Sequence, residues 1–204
     1  KELTDKYGPY HLVFNEIVNK YHADNKLVTI AYKAYNSSEV SEIKLFPYVV
    51  TTLKELKDKG YKVFLLTVGV HERQERKINI LGLKPYFDEI VINDQEIGLL
   101  VEDCVKDLLR RHNIMPGEAV MVGDKARDEL RIAKLQGMIT IQMLHGRFKN
   151  EPAVNECDRP DYKIKRIFQI PTILQLNNMG KTPDKLKIIA IGGGTGLPIM
   201  LEGS

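Results

Sequence analysis

The hydrophobic positions of this chain fall into two regimes. Over residues 9–35 apolar side chains recur at helical spacing, first Val13, Phe14, Ile17, Val18 and Tyr21, then Leu27, Ile30, Ala31, Ala34 and Tyr35. Two amphipathic helices with no strand between them predict a small helical subdomain, closed by Asn36-Ser37-Ser38. From Leu45 onward strands and helices alternate. Phe46-Pro47 is predicted to open a helix whose core positions are Val49, Val50, Leu53 and Leu56, with Gly60 ending it. Apolar runs predict strands at 61–67, 89–92, 119–122 and 138–143. Between them lie a helix stopped by Leu81-Gly82, an amphipathic helix over 101–112, and a helix ending at Gly137. A polar loop over 145–160 leads to an edge strand starting at Asp161 and a helix over 171–176. Residues 177–184 have linker composition, and 187–191 read as a fresh buried strand. Repeated β–α units with short turns predict an α/β fold, a Rossmann-like open parallel sheet with helices on both faces, plus the small helical subdomain at the N-terminus. Ligands of such sheets sit outside the carboxyl ends of the strands.

Composition narrows the class without naming a chemistry. At 204 residues, with 43% hydrophobic and 28% charged residues, the chain is an ordinary globular protein with room for a core. A net charge of +3 is too small and scattered to indicate nucleic acid, and the densest basic run, residues 163–166, reads as a solvated face. Cys104 and Cys157 form no CxxC, which argues against a disulfide framework or structural zinc, and Cys104 falls on a helix's apolar face. No signal-peptide pattern and no apolar run long enough to span a bilayer are present, so the cytoplasm is the default and no membrane partner is expected. The chain starts at Lys1 without methionine and stops just after a new strand and Gly-rich turn, which predicts a piece of a longer polypeptide.

The candidate chemistry centres on residues 120–129. A buried strand ends in Gly123-Asp124, and Asp128 or Glu129 follows about one helical turn later. Paired hard oxygen ligands at such a place suit Mg²⁺, which takes one or two carboxylates plus substrate phosphate oxygens; the plainer reading is a helix-capping Asp with surface acids behind it. Another strand ends in Thr67-Val68-Gly69, whose hydroxyl and backbone N–H groups are suited to phosphate. A third tip, Gly192-Gly193-Gly194-Thr195-Gly196, has the form of a phosphate-cradling turn. The five histidines share no ligand spacing.

Residues 45–162 resemble the haloacid-dehalogenase superfamily. The matching segments are Leu45-Phe46-Pro47, residues 53–61, Leu65-Leu66-Thr67, residues 81–88, Val122-Gly123-Asp124, Gly137-Met138 and Pro160-Asp161-Tyr162. The resemblance implies phosphoryl transfer from a small phosphorylated metabolite through an aspartyl-phosphate, with Mg²⁺ as cofactor. It implies a first-strand Asp-x-Asp as nucleophile and general acid/base, phosphate binding at Thr67, a charge-stabilising Lys, and Mg²⁺ at Asp124 with Asp128 or Glu129. Two departures stand out. The Asp-x-Asp strand is missing, so the nucleophile is expected upstream of Lys1. The region where the family places its Lys reads Gly98-Leu99-Leu100-Val101, and Lys106 lies roughly 10 Å further along a helix. The chain is therefore expected to lack phosphatase activity. Its parent reads as a phosphohydrolase or as a degenerate binding module, with a response-regulator receiver as a third reading.

Residues 187–203 resemble the opening of the gluconeogenesis-factor and 2-phospho-L-lactate-transferase family, which implies a nucleotide or nucleotide sugar as partner. The expected organisation is a cap over 1–44, a core over 45–176 lacking its first strand, a linker over 177–186, and the truncated start of a nucleotide-binding domain over 187–204. On this reading the last strand has no sheet to join.

Overall fold

The computed structural model describes residues 10–37, 43–94, 100–178, 188–193 and 200–202. The chain divides into two compact units, Lys1–Ser41 and Glu42–Ser204. In the first, α1 (Tyr10–Lys20) and α2 (Lys26–Ser37) are the two predicted helices; α1 buries Val13 and Val18, but Tyr21, Leu27 and Ile30 of the predicted apolar face stay exposed. Asp24 accepts from the Lys26 amide at 2.8 Å just before α2, and the Phe14 and Tyr35 rings meet edge to face, 6.2 Å between centroids.

The second unit begins with a short strand, β1 (Lys44–Leu45), followed by α3 (Val49–Asp58), β2 (Lys62–Val68), α4 (His71–Ile80), β3 (Glu89–Asn93), α5 (Val101–Arg111) and β4 (Ala119–Gly123). It continues through α6 (Glu129–Leu135), β5 (Ile139–Met143), β6 (Tyr162–Ile164), α7 (Ile170–Asn178), β7 (Ile188–Gly193) and β8 (Leu201–Glu202). Six of the strands form one parallel sheet in the order β3-β2-β7-β4-β5-β6. The fold is thus the Rossmann-like α/β class anticipated. Helix α3 starts later than Phe46-Pro47 because Tyr48, with φ of 69°, takes a left-handed turn first.

The position of β7 corrects the expectation that this strand has no sheet to join. It lies inside the sheet, with Ala190 opposite Phe64 of β2 and Met121 of β4. An open slot there would leave two facing rows of backbone donors and acceptors unpaired at the centre of the sheet. The apolar run at 188–191 is of a type that fills a fully buried parallel position. The chain then returns to the start of the unit, where β8 pairs antiparallel with β1 and the Phe46 amide donates to the Met200 carbonyl at 2.8 Å.

Alternation along β2 shows how both faces are covered. Val63 and Leu65 join a core containing Leu53 and Leu56 of α3 and Ile170 and Leu174 of α7. Phe64 and Leu66 face a second core with Val105 and Leu108 of α5 and Leu130 and Ala133 of α6. Cys104 is partly buried against that second core, and both cysteines are free.

Two of the recognised sequence segments prove to be clamps between neighbouring strands. Asp88, ending the 81–88 segment, accepts from the Val63 amide at 2.8 Å and from Lys57 Nζ at 3.0 Å. Asp161 does the same for β5 and β6. It accepts from the Thr140 amide at 2.8 Å and Thr140 Oγ1 at 2.7 Å, while its own amide donates to that hydroxyl at 3.0 Å. Among the described residues no helix is long and apolar enough to cross a membrane.

Candidate functional site

Parallel strands β2, β7 and β4 lie side by side, so their carboxyl ends form one edge. At the end of β2, Thr67 is fully buried and its Oγ1 has no hydrogen-bond partner. The chain leaves the strand through Gly69, whose φ of 145° lies in the region that favours glycine. The Gly69 amide donates to the Asn93 carbonyl at 3.0 Å, so it is not free to meet a ligand. The buried side chain of Gln74 donates to the Val68 carbonyl at 3.0 Å. A Cβ on Gly69 would lie 2.4 Å from Gln74 Nε2, so the glycine makes room for that amide. Of the predicted phosphate-binding residues Thr67, Val68 and Gly69, Thr67 carries a buried hydroxyl without a partner, while the Gly69 amide is engaged. Gln74 carried no signal in the sequence beyond its place on an amphipathic helix.

At the end of β4 the acids separate. Asp124 and Glu129 are both buried, 4% and 5% exposed. Half of the Asp128 side chain faces solvent, and it pairs with Lys125 Nζ at 3.4 Å. The cause is the start of α6: Asp128 is the residue before the helix, while Glu129 is its first residue and turns under the strand tip. Glu129 Oε1 accepts from the Lys125 amide at 3.0 Å, and an added Cβ on Gly123 would lie 2.8 Å from that same oxygen. Gly123 is thus the space into which Glu129 fits. Burial and the neighbouring Asp124 push the Glu129 carboxyl up to about 8. Gln142 of β5 holds the Asp124 carbonyl at 3.2 Å, fixing the loop from behind.

Lys125 is a cation beside these acids that sequence reasoning passed over; its side chain is only 15% exposed, and Nζ lies 5.3 Å from the Phe148 ring centroid. Lys106, by contrast, is a surface residue paired with Glu102, as its helical position suggested. Leu99, with the preceding Gly98, lies outside the described residues. So do Gly194, Thr195 and Gly196. Gly192 and Gly193 close β7 opposite Leu66 and Thr67, so glycine backbone stands beside the Thr67 strand tip where a side chain would otherwise project.

Mg²⁺ fits the donor set. Among the described residues no group of three His, Cys, Asp or Glu side chains forms a metal site. A buried pair of hard carboxylates is what Mg²⁺ uses when phosphate oxygens and water complete its shell. Burial and the neighbouring Asp124 raise the Glu129 carboxyl even with Lys125 beside it, so a divalent cation would favour the ionised pair.

Comparison with known proteins extends these observations. The glyceraldehyde 3-phosphate phosphatase of Methanopyrus kandleri is 32% identical over 171 residues, covering 81% of this chain and 73% of that protein. The enzyme of the same name from Methanocaldococcus jannaschii is 31% identical over 181 residues, covering 86% of this chain and 77% of its own length. The crystal structure of a 2-haloacid dehalogenase from Pseudomonas syringae superposes with a TM-score of 0.57 at 21% identity, over 81% of this chain and 70% of that one, a likeness of fold. The model of the haloacid dehalogenase-like hydrolase family matches residues 3–142. That match does not reach residues 187–203, and their resemblance to the gluconeogenesis-factor family is left without support. With that match over the αβ units that carry Thr67 and Asp124, and with these relatives, the chain belongs to the haloacid dehalogenase-like hydrolase family.

Proposed function

We propose that this chain carries the phosphate- and Mg²⁺-binding part of a phosphohydrolase site for a small phosphorylated metabolite. The observation that carries the reading is Thr67, a buried hydroxyl without a partner on the same sheet edge as a buried carboxylate pair. Leaving such a group unsatisfied costs about 1–3 kcal/mol, a cost that a ligand oxygen in hydrogen-bond reach removes. Thr67 Oγ1 donates to a phosphate oxygen. Asp124 and Glu129 are the residues that would hold Mg²⁺, which when bound supplies positive charge against the phosphate. Gln74, Asn93 and Gln142 hold the surrounding backbone in place. The substrate class follows the relatives, whose name gives glyceraldehyde 3-phosphate as their substrate.

The composition of β7 favours a second reading, a phosphate-binding module without turnover. Residues 188–196 contain no acid, so this inner strand brings no carboxylate nucleophile to the Thr67 tip. One experiment separates the two. The thermal midpoint is measured with inorganic phosphate and Mg²⁺, alongside turnover of p-nitrophenyl phosphate, for the chain and its Thr67→Val variant. A phosphate-dependent rise that Thr67→Val abolishes supports the site, and turnover with it excludes the module reading. A rise that is equal in the variant, or no rise at all, refutes both.

A further inference from the structure

Beyond the ends of β5 and β6 lies a cavity of about 310 Å³ whose walls include Phe46, Tyr48, Phe168, His145, Lys165 and Arg166. A second cavity, about 480 Å³, shares His145, Lys165 and Arg166 and adds Lys149 and Asn150. Neither lining contains Thr67, Asp124 or Glu129, and neither contains any Asp or Glu. The first volume is that of a small-molecule pocket.

Several features mark the place as built. Tyr48 holds a φ of 69°, a conformation rare for an aromatic residue, and the residue stays 62% exposed. It meets the half-exposed Phe168 ring edge to face, 5.5 Å between centroids, and Phe46 meets the His145 ring in the same way at 4.5 Å. His145 Nε2 is buried and has no hydrogen-bond partner. The Lys165 and Arg166 amides both donate to Gln169 Oε1 at 2.9 Å, which fixes the turn that carries the two cations. The basic run that reads in sequence as a solvated face thus forms one wall of a concave surface, and aromatic rings form the other.

We propose that these joined cavities bind a small ligand made of a flat ring bearing a phosphate. The ring lies among Phe46, Tyr48 and Phe168, and the phosphate meets His145, Lys165 and Arg166. A ring offers its face or edge to the aromatic wall. A dianion meets lysine and arginine with no opposing carboxylate. The site shares no side chain with the phosphohydrolase reading and does not depend on it.

Phenylphosphonate is the probe, because it carries both parts and its carbon–phosphorus bond is not a phosphoester. The ¹⁵N-labelled full chain is titrated and followed by amide shifts. Saturable shifts at Tyr48, His145 and Phe168 are expected, with Kd unchanged in Thr67→Val. Kd should rise at least about tenfold in the exposed charge-reversal pair Lys165→Glu/Arg166→Glu, and several-fold in Phe168→Ala. Inorganic phosphate alone and benzyl alcohol alone should each bind at least about tenfold more weakly. Should the charge-reversal pair unfold, Phe168→Ala and the two half-ligands still decide. Absence of saturation, shifts confined to the surroundings of Thr67 and Asp124, or loss of binding in Thr67→Val would overturn the proposal.

Discussion

A methyl group added at Gly123 probes the acid pair through its fit. In Gly123→Ala the new Cβ would stand 2.8 Å from Glu129 Oε1, 2.9 Å from Cγ and 3.3 Å from Cδ. Non-bonded carbons rest at about 3.5–4.0 Å, so Glu129 or the strand must yield. The strand is held, because Gly123 pairs with Gln142 and β4 is flanked by β5 and β7. Glu129 must move instead, giving up its hydrogen bond from the Lys125 amide. Overpacking costs about 1–3 kcal/mol and the lost bond about 1 kcal/mol, against a gain of about 0.5 kcal/mol from stiffening the unfolded chain. The net loss is about 1.5–3.5 kcal/mol, or about 3–14 °C in thermal midpoint for a chain of this size. In a Glu129→Ala background the obstacle is gone, and the same Gly123→Ala change should cost less than about 0.5 kcal/mol. Urea unfolding of the four proteins of the cycle, in EDTA at pH 7, reads the coupling. Equal costs in the two backgrounds would show that Glu129 does not lie beneath the strand tip, and the acid pair would lose its basis.

Further outcomes follow from the same structure. Ala190→Pro removes an amide from the inner strand β7, between Phe64 and Met121, and should cost about 3 kcal/mol or more; circular dichroism melts that show no loss would place β7 outside the sheet. Lys77 is buried, and burial with Arg73 nearby lowers its amine to about 8. The folded chain therefore holds that proton less tightly than the unfolded chain, so stability rises as pH climbs from about 8 towards 10.5. Lys77→Met should stabilise the protein at pH 7 by up to about 3 kcal/mol, with the advantage gone near the ordinary lysine value, as urea midpoints across pH will show. Against the cost of burial, hydrogen bonds from Thr140 and Lys134 hold the Asp161 carboxyl below its ordinary value, so its contribution is present above that value and lost as pH falls through the folded one. Asp161→Ala should cost about 2–3 kcal/mol at pH 7 and less once the pH falls through the folded carboxyl's value, and amide exchange should quicken first in β6.

Local order is what sequence alone determined here. The helices and strands from Val49 to Asn178 follow from the spacing of apolar residues, because burial of one face is a property each element carries by itself; in the N-terminal helices that spacing gave the helices, but Leu27 and Ile30 of the expected face stay exposed. The tips bearing Thr67 and Asp124 were legible for the same reason: a strand that ends in a small or polar residue announces its own edge. The choice between Asp128 and Glu129 was not, since the two are adjacent and only the first turn of α6 under Gly123 decides which is buried. Asp88 and Asp161 read as parts of recognisable segments, but their clamping of distant amides exists only once strands pair. Tyr48 lies far from Lys165 and Arg166 in sequence, and nothing local places its ring opposite the basic pair. The widest gap concerned β7. An apolar run with glycines after it fits any parallel sheet equally well; its place here was set by the unpaired ladders of β2 and β4, which no property of residues 188–193 records.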